Sequence, residues 1–258
     1  MVVSHGKKQT LYQLFKKRLA NTNQNLDWRF YGRRSGRALT KARKTLLDDL
    51  LPRLSVTEKQ ISKKNDLDPT SLFDFEPQKI ILEIGFGNGE HLAEMMRRHP
   101  ENGYIGAEPF INGMSSFLKD IQDSKTTQNI RVLMDDVIPL VQSIASESID
   151  EIYVLNPDPW HKKRHHQRRI INQKNLDLFS KILKPEGRLI MSTDVRDLIE
   201  WMVTQTSLHP DFKWLAQKAD DWREPPPDWI PTRYESKGAK GADKMNYLFF
   251  EKINSSGN

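Results

Sequence analysis

Five short apolar runs constrain the fold of this chain more than any other feature. They span 79–84, 104–107, 131–134, 152–155 and 188–191. Each is near-continuously apolar, the pattern of a strand covered on both faces of a parallel sheet. Stretches 90–98, 112–122, 138–146 and 171–183 lie between them with helical spacing, and Pro100 closes the first. Such alternation, with right-handed crossovers, predicts an α/β fold built on a doubly wound, mostly parallel sheet. Two later strand-like runs, 212–216 and 246–251, have only an irregular Pro-rich stretch between them. An antiparallel addition at the sheet edge is expected there. Ahead of the sheet, 38–54 reads as a helix and 55–77 as a polar linker. The chain is therefore expected to divide into a basic N-terminal extension, 1–54, and a main domain, 55–258. Residues 1–27 are expected to be mobile, with Trp28, Phe30 and Tyr31 as anchors.

The first run ends in Glu83-Ile84-Gly85-Phe86-Gly87-Asn88-Gly89-Glu90. Glycines at a strand-to-helix turn let a ligand approach the backbone closely. A dinucleotide would seat its pyrophosphate on the helix N-terminus and favours Gly-x-Gly-x-x-Gly. Here the third glycine comes one residue early and Glu90 takes its place, so an anion would meet two carboxylates, Glu83 and Glu90. A cofactor without phosphates and with positive charge fits better. S-adenosylmethionine, with its sulfonium and ammonium, meets both conditions. Glu108 follows the second run, where an acid hydrogen-bonds ribose hydroxyls in nucleoside-binding sheets. Asp135 and Asp136 end the third run, within reach of an adenine edge. Each acid alone reads equally well as a solvated loop residue. Acids at the carboxyl ends of three successive strands point instead to a ligand.

The fourth run ends at Asn156. A stiff turn with one carboxylate follows, Pro157-Asp158-Pro159, then Trp160. Five Lys/Arg and three His occupy 161–169. The net charge of +6 hides an asymmetry: residues 1–47 carry twelve Lys/Arg against one acid, Asp27. The body is acidic with two cationic elements set on it, which is a localised footprint for phosphates. The plainer reading of 161–169 is a solvated charge run. The chain has no cysteine, which excludes disulfides and thiolate metal sites and fits a reducing compartment such as the cytoplasm. No apolar run approaches the roughly 20 residues of a membrane span. No signal peptide is read at the start, where 1–5 leads into charged residues. No carboxylates lie at ligand spacing near the histidines, so no metal site is expected.

With these motifs in hand, the chain resembles the bacterial tRNA (guanine-N7)-methyltransferases from about Arg29 to Lys252. The most specific match is the Pro-Asp-Pro-Trp-x-Lys-x-Arg-His-x-x-x-Arg pattern, met by Pro157 to Arg169. Ser192-Thr193-Asp194, Thr232-Arg233-Tyr234-Glu235 and the basic Tyr31-Gly32-Arg33-Arg34-Ser35-Gly36-Arg37 strengthen it. The resemblance implies a Rossmann-like methyltransferase sheet, S-adenosylmethionine as donor, and methylation of guanine N7 in the tRNA variable loop. By position it implies donor contacts at Glu83, Gly85, Gly87, Glu108, Asp136 and Asp158, with Asp158 also at the catalytic centre. It implies substrate contacts at Lys162, Asp194, Thr232, Arg233, Tyr234 and Glu235. Asn156 stands where the family commonly has an aromatic residue, a departure that touches the packing beneath the catalytic turn. Which of Asp135 and Asp136 faces adenine stays open.

The residues carry their own chemistry. Guanine N7 has an in-plane lone pair and needs no deprotonation, so the task is positioning and exclusion of water. A fixed carboxylate such as Asp158 would stabilise the developing purine cation. Arg33, Arg34, Arg37, Lys163, Arg164, Arg168 and Arg169 read as tRNA phosphate contacts, setting affinity and its salt dependence. Trp160 reads either as a base-stacking ring or as a packing aromatic. Two other functions stay open: amino-group methylation of a base, since Asn156-Pro157-Asp158-Pro159-Trp160 loosely resembles an Asn-Pro-Pro-aromatic loop, and RNA binding without catalysis on a methyltransferase scaffold.

Overall fold

The computed structural model describes residues 32–61, 66–237 and 244–253. The expected mobile segment 1–27 and the anchors Trp28, Phe30 and Tyr31 lie outside them. The five apolar runs become strands β1 (Ile80–Ile84), β2 (Gly103–Ala107), β3 (Ile130–Leu133), β4 (Ile149–Leu155) and β5 (Leu183–Thr193). Two more follow, β6 (Phe212–Trp214) and β7 (Asn246–Lys252), in a sheet of order β3-β2-β1-β4-β5-β7-β6. Strands β1 to β5 are parallel, whereas β7 pairs antiparallel with β5 and β6 with β7, as the sequence led us to expect. β1 pairs with both β2 and β4. The chain thus reverses its direction of winding between β1 and β4, and in such sheets ligands bind beyond the carboxyl ends at this point.

Helices cover both faces. They are α1 (Lys41–Asp49), α2 (Leu51–Leu54), α3 (Glu58–Ile61), α4 (Glu90–Arg98), α5 (Ile111–Ile121), α6 (Ile138–Ser143), α7 (Gln173–Ile182), α8 (Arg196–Ser207), α9 (Asp220–Arg223) and α10 (Arg233–Lys237). Successive strand residues point to opposite faces. Ile81, Tyr104, Tyr153 and Ile190 accordingly join one core layer, with Leu92, Met96, Met114 and Phe117 of α4 and α5. Leu82, Ile105, Val154, Leu189 and Met191 join the other, with Leu140, Phe179 and Met202 of α6, α7 and α8.

Two segments differ from expectation. The stretch read as a polar linker packs against the domain. Val56, Leu67, Leu72 and Phe73 are buried in the second core layer, and the Val56 N–H donates to Val132 at 2.9 Å. Helix α8 is not among the stretches expected to be helical; it buries Leu198, Met202 and Thr206. The helix that ends the basic extension shares the first core layer: Leu47, Leu51 and Leu54 pack with Met114 and Val132. Thr40 caps it by accepting from the Arg43 N–H.

Candidate active site

The glycine turn lies at the carboxyl end of β1. Gly85, Gly87 and Gly89 have φ of 72°, 59° and 81°, a region that costs any side chain with a Cβ. Gly89 is also crowded: a Cβ there would stand 2.3 Å from the Phe117 ring. The Glu108 carboxylate, just past β2, closes the turn. It accepts from the Gly87 N–H at 2.7 Å and the Phe110 N–H at 2.8 Å. Burial pushes its carboxyl up to about 7, the negative charges of Asp158 and Glu83 push the same way, and the two N–H bonds oppose them. Asp158, past β4, and Glu83, in β1, are thus close enough to Glu108 for their charges to act on it. Glu83 is itself buried and shares a 2.8 Å contact with His91 Nδ1 on α4.

At the end of β3 the two aspartates divide. Asp135 takes the Arg34 guanidinium at 3.1 Å, while Asp136 accepts the Ile138 N–H at the start of α6. Burial raises the Asp136 carboxyl above its ordinary value. Arg34 is mostly covered and anchors the basic arm, whose Gly36 N–H and Arg37 carbonyl both bond Asn112. Arg33 and Arg37 are exposed.

The Pro157-Asp158-Pro159 turn is held at both ends. Asn156 has φ 48°, a left-handed conformation that Asn adopts readily, and its N–H donates to the Ser192 carbonyl at 2.8 Å. Trp160 has φ 46°, and the Arg168 guanidinium lies 5.2 Å from its ring. Between them Asp158 is exposed. Lys162, Lys163 and Arg164 follow, all exposed. Arg169 is a correction. It is 1% exposed and does not reach solvent. Its Nε donates to the Pro159 carbonyl at 2.9 Å, its Nη2 is paired with Asp197, and its guanidinium lies 5.1 Å from the Trp201 ring. The side chain read as a phosphate contact instead ties the Pro157-Asp158-Pro159 turn to α8.

The C-terminal motif folds back over this mouth. Thr232 Oγ1 and Glu235 Oε1 accept from Asn156 Nδ2 at 3.1 and 3.4 Å. Tyr234 Oη donates to the buried Asp194 at 3.3 Å, and Arg233 lies 3.6 Å from Glu90 beside the glycine turn. The motif thus touches Asn156 at the start of the Asp158 turn and Glu90 beside the glycines. Sequence reading missed Gly113: a Cβ there would stand 2.3 Å from the Gly87 carbonyl, so α5 packs directly on the turn. Among the described residues, no group of His and acids is placed to hold a metal ion, and no helix is long and apolar enough to cross a membrane.

A glycine turn after β1 and acids at the carboxyl ends of β2 and β3, beside the switch point of a parallel sheet, define a methyltransferase-type site. The family model "Putative methyltransferase" matches residues 77–247. A tRNA (guanine-N(7)-)-methyltransferase of Rhodospirillum rubrum is 40% identical over 226 residues, covering 88% of each chain. One from Agrobacterium fabrum is 38% identical over 221 residues, covering 86% of this chain and 94% of that one. The chain belongs to the tRNA (guanine-N7)-methyltransferase family. Among solved structures, an SAM-dependent O-methyltransferase of Thermotoga maritima aligns at TM-score 0.47 and 14% identity, covering 83% of this chain and 73% of that chain.

Proposed function

We propose that this protein transfers a methyl group from S-adenosylmethionine to N7 of a guanine in tRNA, in the cytoplasm and in the variable loop. The observation that carries the reading is the glycine turn closed by the Glu108 carboxylate on the Gly87 N–H, together with membership of the family. A site that gathers carboxylates repels phosphates and suits a sulfonium and an ammonium. Glu108 would receive the ribose hydroxyls, Asp136 the adenine edge, and the Gly85–Gly87 backbone the methionine part. When bound, the donor supplies an electrophilic methyl group.

The chain's own residues do the rest. Asp158, exposed before substrate arrives, becomes shielded as a guanine docks on it, and its charge then acts in a drier medium on the purine cation that forms. Holding N7 in line contributes roughly 7–11 kcal/mol of barrier lowering. The stiff turn, fixed through Ser192 and Arg169, keeps the carboxylate placed for this. Arg33, Arg37, Lys162, Lys163 and Arg164 bring in the phosphodiester chain.

The test is transfer of labelled methyl groups to unmodified tRNA, followed by mass spectrometry of the nucleosides. N7-methylguanosine is the expected product. Asp158→Ala is expected to lower kcat by about 10²–10³, the scale of removing one electrostatic partner of developing charge. N6-methyladenosine as the product, or undiminished transfer by the variant, overturns the assignment.

A further inference from the structure

The C-terminal motif and the catalytic turn are joined by one side chain, Asn156. Its amide group donates to Thr232 Oγ1 at 3.1 Å and to Glu235 Oε1 at 3.4 Å. The carboxylate can only accept, so the Nδ2 end of the amide must face it. Glu235 is engaged from its other side by the Trp229 indole N–H at 2.9 Å. The Trp229 ring lies 6.0 Å from His91, which in turn contacts Glu83 at 2.8 Å. A chain of contacts thus runs from the turn bearing Asp158 through Glu235, Trp229 and His91 to Glu83 in β1. Asn156 is the link in that path that lies two residues from Asp158. Its backbone is already fixed by the Ser192 carbonyl and by a left-handed φ, so its side chain can serve a second purpose.

We propose that Asn156 is a positioning residue for methyl transfer: its carboxamide ties the Asp158 turn to Thr232 and Glu235, so that substrate engaged by the C-terminal motif sets the catalytic carboxylate. The proposal rests on the reading of Thr232 to Glu235 as substrate contacts and Asp158 as the catalytic acid. It assigns Asn156 no contact with the reacting atoms.

Three variants separate the side chain from the backbone. Asn156→Gly keeps the left-handed turn at no steric cost and removes both bonds. Asn156→Asp keeps the shape but sets a carboxylate against Glu235. Asn156→Asp combined with Glu235→Gln restores a donor–acceptor pair with its polarity reversed. Thermal unfolding of each confirms that the chain is folded. For Asn156→Gly, kcat on tRNA is expected to fall about tenfold, the scale of one hydrogen bond to a charged group, while the donor Kd stays within about threefold. Hydrogen exchange at the amides of Glu235 and Ser236, both bonded to Thr232, is expected to quicken. Asn156→Asp should be the slower enzyme, and the double variant should recover to within about threefold of Glu235→Gln alone. Parent-level kcat in Asn156→Gly, unchanged exchange, or a double variant no better than Asn156→Asp overturns the proposal. A parent chain inactive on tRNA would refute the underlying reading instead, and the exchange measurement would then decide the latch on its own.

Discussion

Glu108 shows how one residue sets a measurable property of the site. Its folded carboxyl titrates near 7, well above the ordinary 4.5, because burial disfavours the charged form. The fold therefore prefers Glu108 protonated. Its contribution to stability is fully present at low pH and is lost as pH rises from about 4.5 through 7. In the donor-binding role proposed for Glu108 the sign is opposite, because ribose hydroxyls donate and need the carboxylate. Calorimetry of S-adenosylmethionine binding should show affinity rising as pH climbs toward 7, by up to about tenfold per unit, and levelling above it. Glu108→Gln should flatten that profile and weaken binding at pH 8 by about tenfold or more. A profile that stays sloped in the variant would assign the proton elsewhere. Glu108 was legible in sequence because its position after the second apolar run is a property of parallel sheets. Its partners were not: Gly87 and Phe110 reach it through backbone N–H groups, which every residue but proline carries.

At the scale of elements, strands were legible and the helices flanking them less so. Each of the five parallel strands contains the apolar run read for it, because burial on both faces favours such runs, although β4 and β5 start earlier through the polar Asp150–Glu151 and Lys184–Glu186. Helix α8 is no exception in its pattern: Val195, Leu198, Ile199, Met202 and Val203 fall at helical spacing and pack on the core, so its sequence carries the signal although it is not among the stretches expected to be helical. The stretch 55–77 did escape. Its buried Val56, Leu67, Leu72 and Phe73 follow no period, since irregular segments pack by individual contacts. Helix α1 is legible from its spacing, yet its basic residues assign it to a separate extension. Its Leu47 is 1% exposed and packs in the layer that holds β3 and α5. Leu47→Ala is expected to destabilise the protein by about 2–5 kcal/mol in urea unfolding, whereas Leu208→Ala, at 70% exposure, should stay within about 0.5 kcal/mol. A Leu47→Ala loss below about 1 kcal/mol would return the helix to the status of an appendage.

The charge of the whole molecule is divided by burial, and sequence could not see the division. Within 161–169 every arginine and lysine looks alike, yet Arg169 is held inside by Asp197 and Trp201, residues of a later helix. Only the fold brings them together. The cationic footprint on this loop is therefore Lys162, Lys163 and Arg164, joined by Arg33 and Arg37 from the arm. This gives two kinds of basic residue with separable signatures. Removing one cation that touches a phosphate should lower the slope of log affinity against log salt by about one, and should weaken binding to any tRNA alike. Replacing Lys163 and Arg164 with alanine is expected to reduce the slope by about two while leaving the unfolding midpoint in place. Arg169→Ala should do the reverse. It leaves the Pro159 carbonyl without its donor and Asp197 without its guanidinium, so stability and kcat fall while the salt slope stays that of the parent. Filter binding of tRNA at several salt concentrations, set beside thermal unfolding of the same variants, reads both quantities. A slope lowered by Arg169→Ala as much as by Lys163→Ala would place its charge on the phosphates after all.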